Sequence, residues 1–405
     1  MNSLVQSLEQ TNLPDESELW PLDNPDFIQN PFPFYERLRT IAPLYVMQDG
    51  SYLISNYEDT VKYLKHPIMS AVEPEWMDPN PWEALYNTML FSNPPLHTDR
   101  RRHINKWFTP KLVRDWVKTT AKITNLKLDQ LAEEEVIDVY EDIAVESTHI
   151  TMCHLLELPE DEIYEVTRNW FNATLALRSH PEPWQIEVAT QGFKYLRERV
   201  DKLLVDKMIN PGNGLADELL AKYKAGEMSY DEVAENVLIL YASGGHNPGF
   251  MITAGIETFA RNPEIFAEYK NHPELRKNFV NELIRMNPPE LIMSRFPEED
   301  IEILGVNIPA TSQVKFLLGG ANYDPAYFEN PYKFDIRRPP ENSMNLSFGI
   351  GAHSCAGQVL SRAECETVFT IIAERYSRIE LVEEPEVTHT ERVRSYAHLR
   401  AKFIK

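Results

Sequence analysis

The chain has 405 residues, 43% hydrophobic and 25% charged, which are the proportions of a soluble globular protein with a large core. A formal net charge of −22 argues against a nucleic-acid partner, and no apolar run approaches the roughly 20 residues needed to cross a bilayer. Only three cysteines occur, at 153, 355 and 365, which argues against a disulfide framework, a zinc site or an iron–sulfur site. Residues 1–10 have neither a basic start nor an apolar signal core, so a cytoplasmic location is expected.

Helical periodicity dominates the chain. It predicts helices over 33–42, 57–65, 98–107, 111–132, 141–156, 160–177, 186–208, 229–260, 263–269, 277–286 and 357–375. Strand-like pieces cluster at 44–55, 301–318 and 378–404. Proline, 29 in all, crowds 66–95 and 325–340. Interspersed aromatics make those stretches ordered loops, and loops of that length in a compact domain carry function. No repeat and no shift of composition marks a boundary. The pattern predicts a mainly α chain with a small β-sheet region. Cys153 and Cys365 lie in apolar helical runs and read as small buried hydrophobes.

Two segments depart from ordinary helix and loop chemistry. The first is Ser243-Gly-Gly-His-Asn-Pro-Gly-Phe250, inside the 229–260 pattern. Two readings stay open: a loop joining two helices, or one kinked helix. In a kinked helix Pro248 cannot donate to the Gly244 carbonyl, and its ring pushes that carbonyl away. The second is Phe-Gly-Ile-Gly-Ala-His-Ser-Cys-Ala-Gly at 348–357. Its glycines let the backbone turn tightly around Cys355, so that N–H groups can point at the sulfur. A helix starting near Gln358 adds its positive end. Such a site presents a thiolate to a metal cofactor.

The residues Phe348-x-x-Gly351-x-His353-x-Cys355-x-Gly357 resemble the haem-binding signature of the cytochrome P450 superfamily, in its bacterial form. The resemblance runs from about residue 31 to the C-terminus. It implies a helix-rich, triangular single domain over 31–405, with 1–30 as an N-terminal extension. It also implies haem b (iron protoporphyrin IX) held by the Cys355 thiolate and cradled by Phe348, Gly349 and Gly357. An anionic thiolate pushes electron density toward the iron and favours O–O cleavage. By the same resemblance His97, Arg101, Arg295 and His353 bind the haem propionates. Glu282 and Arg285 form the family's Glu-x-x-Arg pair, which Arg338 completes as a buried network. The implied activity is that of a monooxygenase using dioxygen and electrons derived from NAD(P)H.

Opposite the cysteine the pattern departs from the family. An acid and a threonine are expected there as a proton relay. In one register they fall on His246 and Asn247, and in the other on Asn247 and Pro248. Gly244, His246, Asn247 and Pro248 are thus the candidate oxygen groove. The segment resembles the Glu-Pro-Gly variant of bacterial members that O-demethylate small methoxylated aromatics. This implies hydroxylation or O-dealkylation of a small apolar or aromatic substrate. The missing relay leaves two other readings: a peroxide-dependent, coupling or dehydrogenating haem enzyme, and a non-catalytic haem- or ligand-binding protein. Candidate pocket residues are Trp82, Tyr86, Met89 and Phe91, with Trp76 and Met77 in the same loop, and Leu291, Ile292 and Met293; Trp170, Phe171 and 394–396 are further candidates. No carboxylate-binding arginine stands out. Arg100, Arg102, Lys106, Lys111 and Arg114 make the one basic stretch of an acidic chain. A separate acidic ferredoxin or flavodoxin, served by its reductase, is expected to dock there on a monomeric protein.

Overall fold

The computed structural model describes residues 14–77, 80–132, 135–178, 181–339 and 342–405. All eleven expected helices are present within a few residues of their predicted bounds, and four of them frame the site: Leu96–Asn105, Pro110–Gln130, Tyr230–Arg261 and Gln358–Arg375. Tyr230–Arg261 opens on a capping box. The Ser229 hydroxyl accepts from the Glu232 N–H at 3.1 Å, and the Glu232 carboxylate accepts from the Ser229 N–H at 2.9 Å. It continues unbroken through Pro248, which overturns the reading of a loop between two helices. Burial on nearly every side compensates for the hydrogen bond that proline cannot make.

One ten-residue helix, Leu215–Lys224, is not visible in the periodicity. Pro211, Gly212 and Gly214 read as loop, yet the Asp217 carboxylate gathers the N–H groups of Gly212 and Gly214 at 2.7 and 3.1 Å and so caps the helix. The expected helix from residue 141 begins instead as a wider turn, Tyr140–Val145, and becomes α-helical at Glu146–Leu156.

Among the described residues the strands form several small sheets. The largest runs in the order Leu44–Val46, Tyr52–Ile54, Val314–Leu317, Ile292–Pro297, Met69–Ser70. Tyr52–Ile54 pairs in parallel with Val314–Leu317, and the remaining pairs are antiparallel. Residues 14–30 are no appendage. Leu19, Trp20 and Phe27 are buried with Tyr35, Leu38, Leu291 and Leu317 in one apolar cluster. The Trp20 indole N–H donates to Glu391 Oε1 at 3.2 Å, across almost the whole length of the chain. Residues 1–13 of the expected extension lie outside the described residues.

Two large apolar clusters hold the helices together. One joins the first half of Tyr230–Arg261 to Phe108, Val113 and Leu360, with Ala356 packed against it. The other joins the second half, from Phe250, to Cys365, Phe369 and Ile372. Where the two long helices cross, a Cβ on Gly255 would lie 2.1 Å from Phe369 Cζ, so only glycine permits that approach. No described helix is long and apolar enough to cross a membrane.

Candidate active site

The Cys355 hairpin is built on glycine backbone angles. Gly349 has φ +65° and Gly351 φ +79°, a region that side chains with a Cβ resist. A Cβ on Gly349 would also lie 2.9 Å from Met293 Cε. The Cys355 N–H closes the hairpin on the Phe348 carbonyl at 2.7 Å. Gly357 is the last residue before the helix Gln358–Arg375. Cys355 is exposed, and protein atoms crowd around its sulfur. Desolvation therefore raises the thiol above its ordinary value. The Gly357 N–H, the Arg101 charge and the Gln358 N–H oppose that rise, while Glu290 adds to it. The helix start thus points at the sulfur as expected, but burial outweighs it, and a metal is needed to hold the thiolate.

Four basic groups meet beside this hairpin. The rings of His97 and His353 are 4.1 Å apart. His97 is buried, and neither ring nitrogen has a hydrogen-bond partner among the described residues. Desolvation, then Arg295, His97 and Arg101, push His353 down to about 3. Desolvation, with Arg392 adding to it, lowers Arg295 to about 10. Its guanidinium's one hydrogen bond among the described residues goes to the Ser294 carbonyl at 2.7 Å. Desolvation also lowers Arg101, against the pull of Cys355. No acid enters any of these balances except Cys355 itself. Two desolvated arginines without a carboxylate partner among the described residues, beside two neutral imidazoles that can donate, call for anionic acceptors, and a planar metal cofactor carrying two carboxylates beside a thiol fits that demand.

Glu282, Arg285 and Arg338 form one buried network. Arg285 donates to both Glu282 oxygens at 2.8 Å, and Arg338 donates to both at 3.0 and 3.1 Å. Burial pushes the Glu282 carboxyl up, but the hydrogen bonds and charges of the two arginines together hold it below its ordinary value. Arg285 also donates to the Asn322 carbonyl and Arg338 to the Glu329 carbonyl. The network therefore ties three segments behind the hairpin.

The long helix shows one accessible face, and it carries Asn247, which belongs to both registers. From Val233 to Ile256 only Ser243, Gly244 and Asn247 are half-buried; every other residue is buried. These three share one face at i, i+1 and i+4. Asn247 Oδ1 has no hydrogen-bond partner among the described residues, and the Ser243 hydroxyl donates to the Ile239 carbonyl at 2.5 Å. His246 lies on another face. It is fully buried, its Nδ1 is 3.2 Å from the Tyr140 hydroxyl, and its ring packs 5.9 Å from Phe171. Desolvation lowers it to about 4, against the Arg394 carbonyl. His246 is therefore turned away from the accessible face that was expected to include it, because its ring serves packing against Tyr140 and Phe171. Pro248 is buried, and its missing N–H leaves the Gly244 carbonyl without its usual helical donor. Sequence gave no sign of the Tyr140 contact, which depends on the wide turn before residue 146.

The expected aromatic pocket needs correction. Trp82 is core: its indole N–H donates to the Ala173 carbonyl at 3.1 Å, with Trp170 and Phe193 packed edge-on at 5.5 and 5.1 Å. Met89 is buried in the same cluster, and Phe91 packs against it. Tyr86 turns its hydroxyl to Glu73 at 2.9 Å. Leu291 is buried in the N-terminal cluster, in contact with Gly319 rather than a cavity. Ile292 does line a cavity, with Trp76 and Met77, and Met293 lies beside Gly349.

The basic helix is also divided in its use. Arg100 points inward, donating to the Tyr86 and Thr88 carbonyls and pairing with Glu232 at 3.2 Å, so it is not a surface charge. Lys106 pairs with Glu218. Arg102, Lys111 and Arg114 remain exposed.

The fold and site define a cysteine-anchored haem protein. Residues 271–397 match the family model "Cytochrome P450". The mycinamicin VIII C21 methyl hydroxylase of Micromonospora griseorubida is 30% identical over 379 residues, covering 91% of this chain and 94% of that one. The biotin biosynthesis cytochrome P450 of Bacillus subtilis is 27% identical over 88% of this chain and 92% of its own. Among solved structures, P450BioI in complex with an acyl carrier protein superposes with a TM-score of 0.86 at 24% identity, covering 93% of this chain and all of that one. The chain belongs to the cytochrome P450 family. It is a monooxygenase of that family, with haem b, a cysteine thiolate ligand, dioxygen and electrons from NAD(P)H through redox partners.

Proposed function

We propose that the protein inserts one oxygen atom into a small apolar or aromatic substrate, by hydroxylation or O-dealkylation, with Cys355 as the haem ligand. When bound, the haem supplies dioxygen activation under the electron push of the thiolate. Arg101 and Arg295 would neutralise its carboxylates, His97 and His353 would donate hydrogen bonds to them, and Phe348, Gly349 and Gly357 would border the side of Cys355. The observation that carries the reading is the accessible Ser243-Gly244-Asn247 face in an otherwise buried helix. Asn247 can both donate and accept, so it orders water where the family carries a proton-relay pair. The free Gly244 carbonyl accepts from that water, and the Ser243 hydroxyl borders it. His246 steadies the helix from behind through Tyr140.

Electrons would arrive from an acidic ferredoxin or flavodoxin docked on Arg102, Lys111 and Arg114. The same Asn247 favours one second reading. This face carries neither an acid nor a threonine, which suits an enzyme fed by peroxide or one that couples or dehydrogenates its substrate. The test is turnover with NAD(P)H, ferredoxin and reductase against turnover with hydrogen peroxide, in wild type and Asn247→Ala. The proposal expects NAD(P)H-driven product in wild type and about tenfold less product per NAD(P)H in the variant. Product with peroxide alone supports the second reading, and no product from either source leaves only binding.

A further inference from the structure

The stretch of the long helix around Pro248 has a second helix packed behind it. Glu146–Leu156 and the wide turn leading into it run against residues 244–249. Val145, Thr148, His149 and Met152 recur at i, i+3, i+4 and i+7, so they share one face of that helix. Three of them lie against glycines. A Cβ on Gly244 would lie 2.4 Å from Met152 Cε, one on Gly245 2.8 Å from His149 Cγ, and one on Gly249 3.4 Å from Val145 Cγ2. The bare backbone at 244 and 245 is what lets the two helices come so close.

The fourth, Thr148, makes a polar tie instead. It is fully buried, and its hydroxyl donates to the Gly245 carbonyl at 2.9 Å. The same hydroxyl lies 2.9 Å from the Ala144 carbonyl and 3.3 Å from that of Val145, one turn back in its own chain segment. It has one proton for three acceptors. The turn that gains most from that proton is the one at Gly245, because Pro248 has already removed a hydrogen bond from it. A donor reaching in from the side draws a carbonyl off the helix axis and opens the turn. Two consecutive carbonyls are then spread apart. That of Gly244 is freed by the proline, and that of Gly245 is held by Thr148 on the buried side.

We infer that Thr148 is a positioning residue for oxygen activation. It holds the Gly245 carbonyl from behind and keeps the turn open, so that the Gly244 carbonyl and the Asn247 amide stay presented on the accessible face. It acts through Gly245 and not by contact with the reacting atoms. The inference rests on the reading of Ser243, Gly244 and Asn247 as the oxygen groove, and adds the group that fixes the groove's shape.

The test is the C–O stretching frequency of the reduced, carbon-monoxide-bound protein, read by infrared spectroscopy, because that bond senses the polar groups on the open side of the haem. Thr148→Val keeps the volume and removes the proton, Thr148→Ala removes both, and Thr148→Ser keeps the proton. The valine and alanine variants are expected to shift the band in the same direction, and the serine variant to leave it at the wild-type frequency. Where Thr148→Val does not retain haem, Thr148→Ala against Thr148→Ser decides. Thermal unfolding run alongside reads the structural cost. A lowered Tm with an unmoved band makes Thr148 a packing residue only and overturns the inference, as does a serine variant that shifts like valine. Asn247→Ala is the control for the groove itself. A band that answers to Asn247→Ala but not to Thr148→Val or Thr148→Ala overturns this inference alone. A band that ignores Asn247→Ala overturns the groove reading, and this inference with it.

Discussion

Glu282→Gln is the sharpest test of what holds the proximal side together. The substitution keeps the shape and removes one charge. Glu282 is 1% exposed and accepts five hydrogen bonds: two from Arg285, two from Arg338 and one from the Asp335 N–H at 3.2 Å. Without the carboxylate, two guanidinium groups at 0% and 5% exposure face an amide. Their remaining acceptors, the Asn322 and Glu329 carbonyls, are neutral. So is the Phe328 ring, 5.0 Å from one guanidinium and 5.7 Å from the other. Breaking a buried pair by removing one partner costs about 3–5 kcal/mol. That is a large part of the roughly 5–15 kcal/mol that keeps a domain folded. The assay is urea unfolding of the haem-loaded protein. The midpoint should fall by that cost divided by m, with m unchanged. Arg338→Met alone should cost less than Glu282→Gln, because it leaves Arg285 still paired. A Glu282→Gln loss below about 1 kcal/mol with haem retained would refute the reasoning.

Gly255→Ala should destabilise the protein by about 1–3 kcal/mol, although alanine is the better helix former, because Phe369 sits between Phe259 and Phe279 and cannot retreat; thermal unfolding reads this, and a raised Tm contradicts it. His246 is lowered to about 4 mainly by burial, so the unfolded chain takes up this proton near pH 6.5 and the folded chain only near 4. Stability is therefore lost as pH falls across that window, and His246→Gln should flatten the loss; denaturation midpoints at pH 7 and 5 that fall equally in both proteins would contradict this. Reversing Lys111 and Arg114 to glutamate should slow reduction by an acidic ferredoxin several-fold at low salt and remove most of its salt dependence. Arg100→Ala should instead lower stability, since Arg100 bridges the Thr88 and Tyr86 carbonyls to Glu232; stopped-flow reduction and urea unfolding separate the two effects.

Local chemistry was legible in sequence where it lies in consecutive residues. The hairpin glycines, the Glu282–Arg285 spacing and the helix starting at Gln358 were all readable, because each depends on neighbours a few positions apart. The facing of side chains was not. Trp82 and Leu291 are as apolar as any pocket residue, and only the distant partners Ala173 and Tyr35 make them core. Arg100 and Arg102 are adjacent in one basic run, yet Glu232, more than a hundred residues away, draws the first inward. The helix at Leu215–Lys224 was hidden because a side-chain cap from Asp217 overrides the local signal of Gly212 and Gly214.

The most direct measurement is the absorbance of the reduced, carbon-monoxide-bound protein in wild type and Cys355→Ala. A thiolate-ligated haem gives a Soret band strongly red-shifted from that of a histidine-ligated one. The account predicts the shifted band in the wild type and its loss in the variant, whereas a variant that keeps the shift would show that Cys355 does not hold the iron.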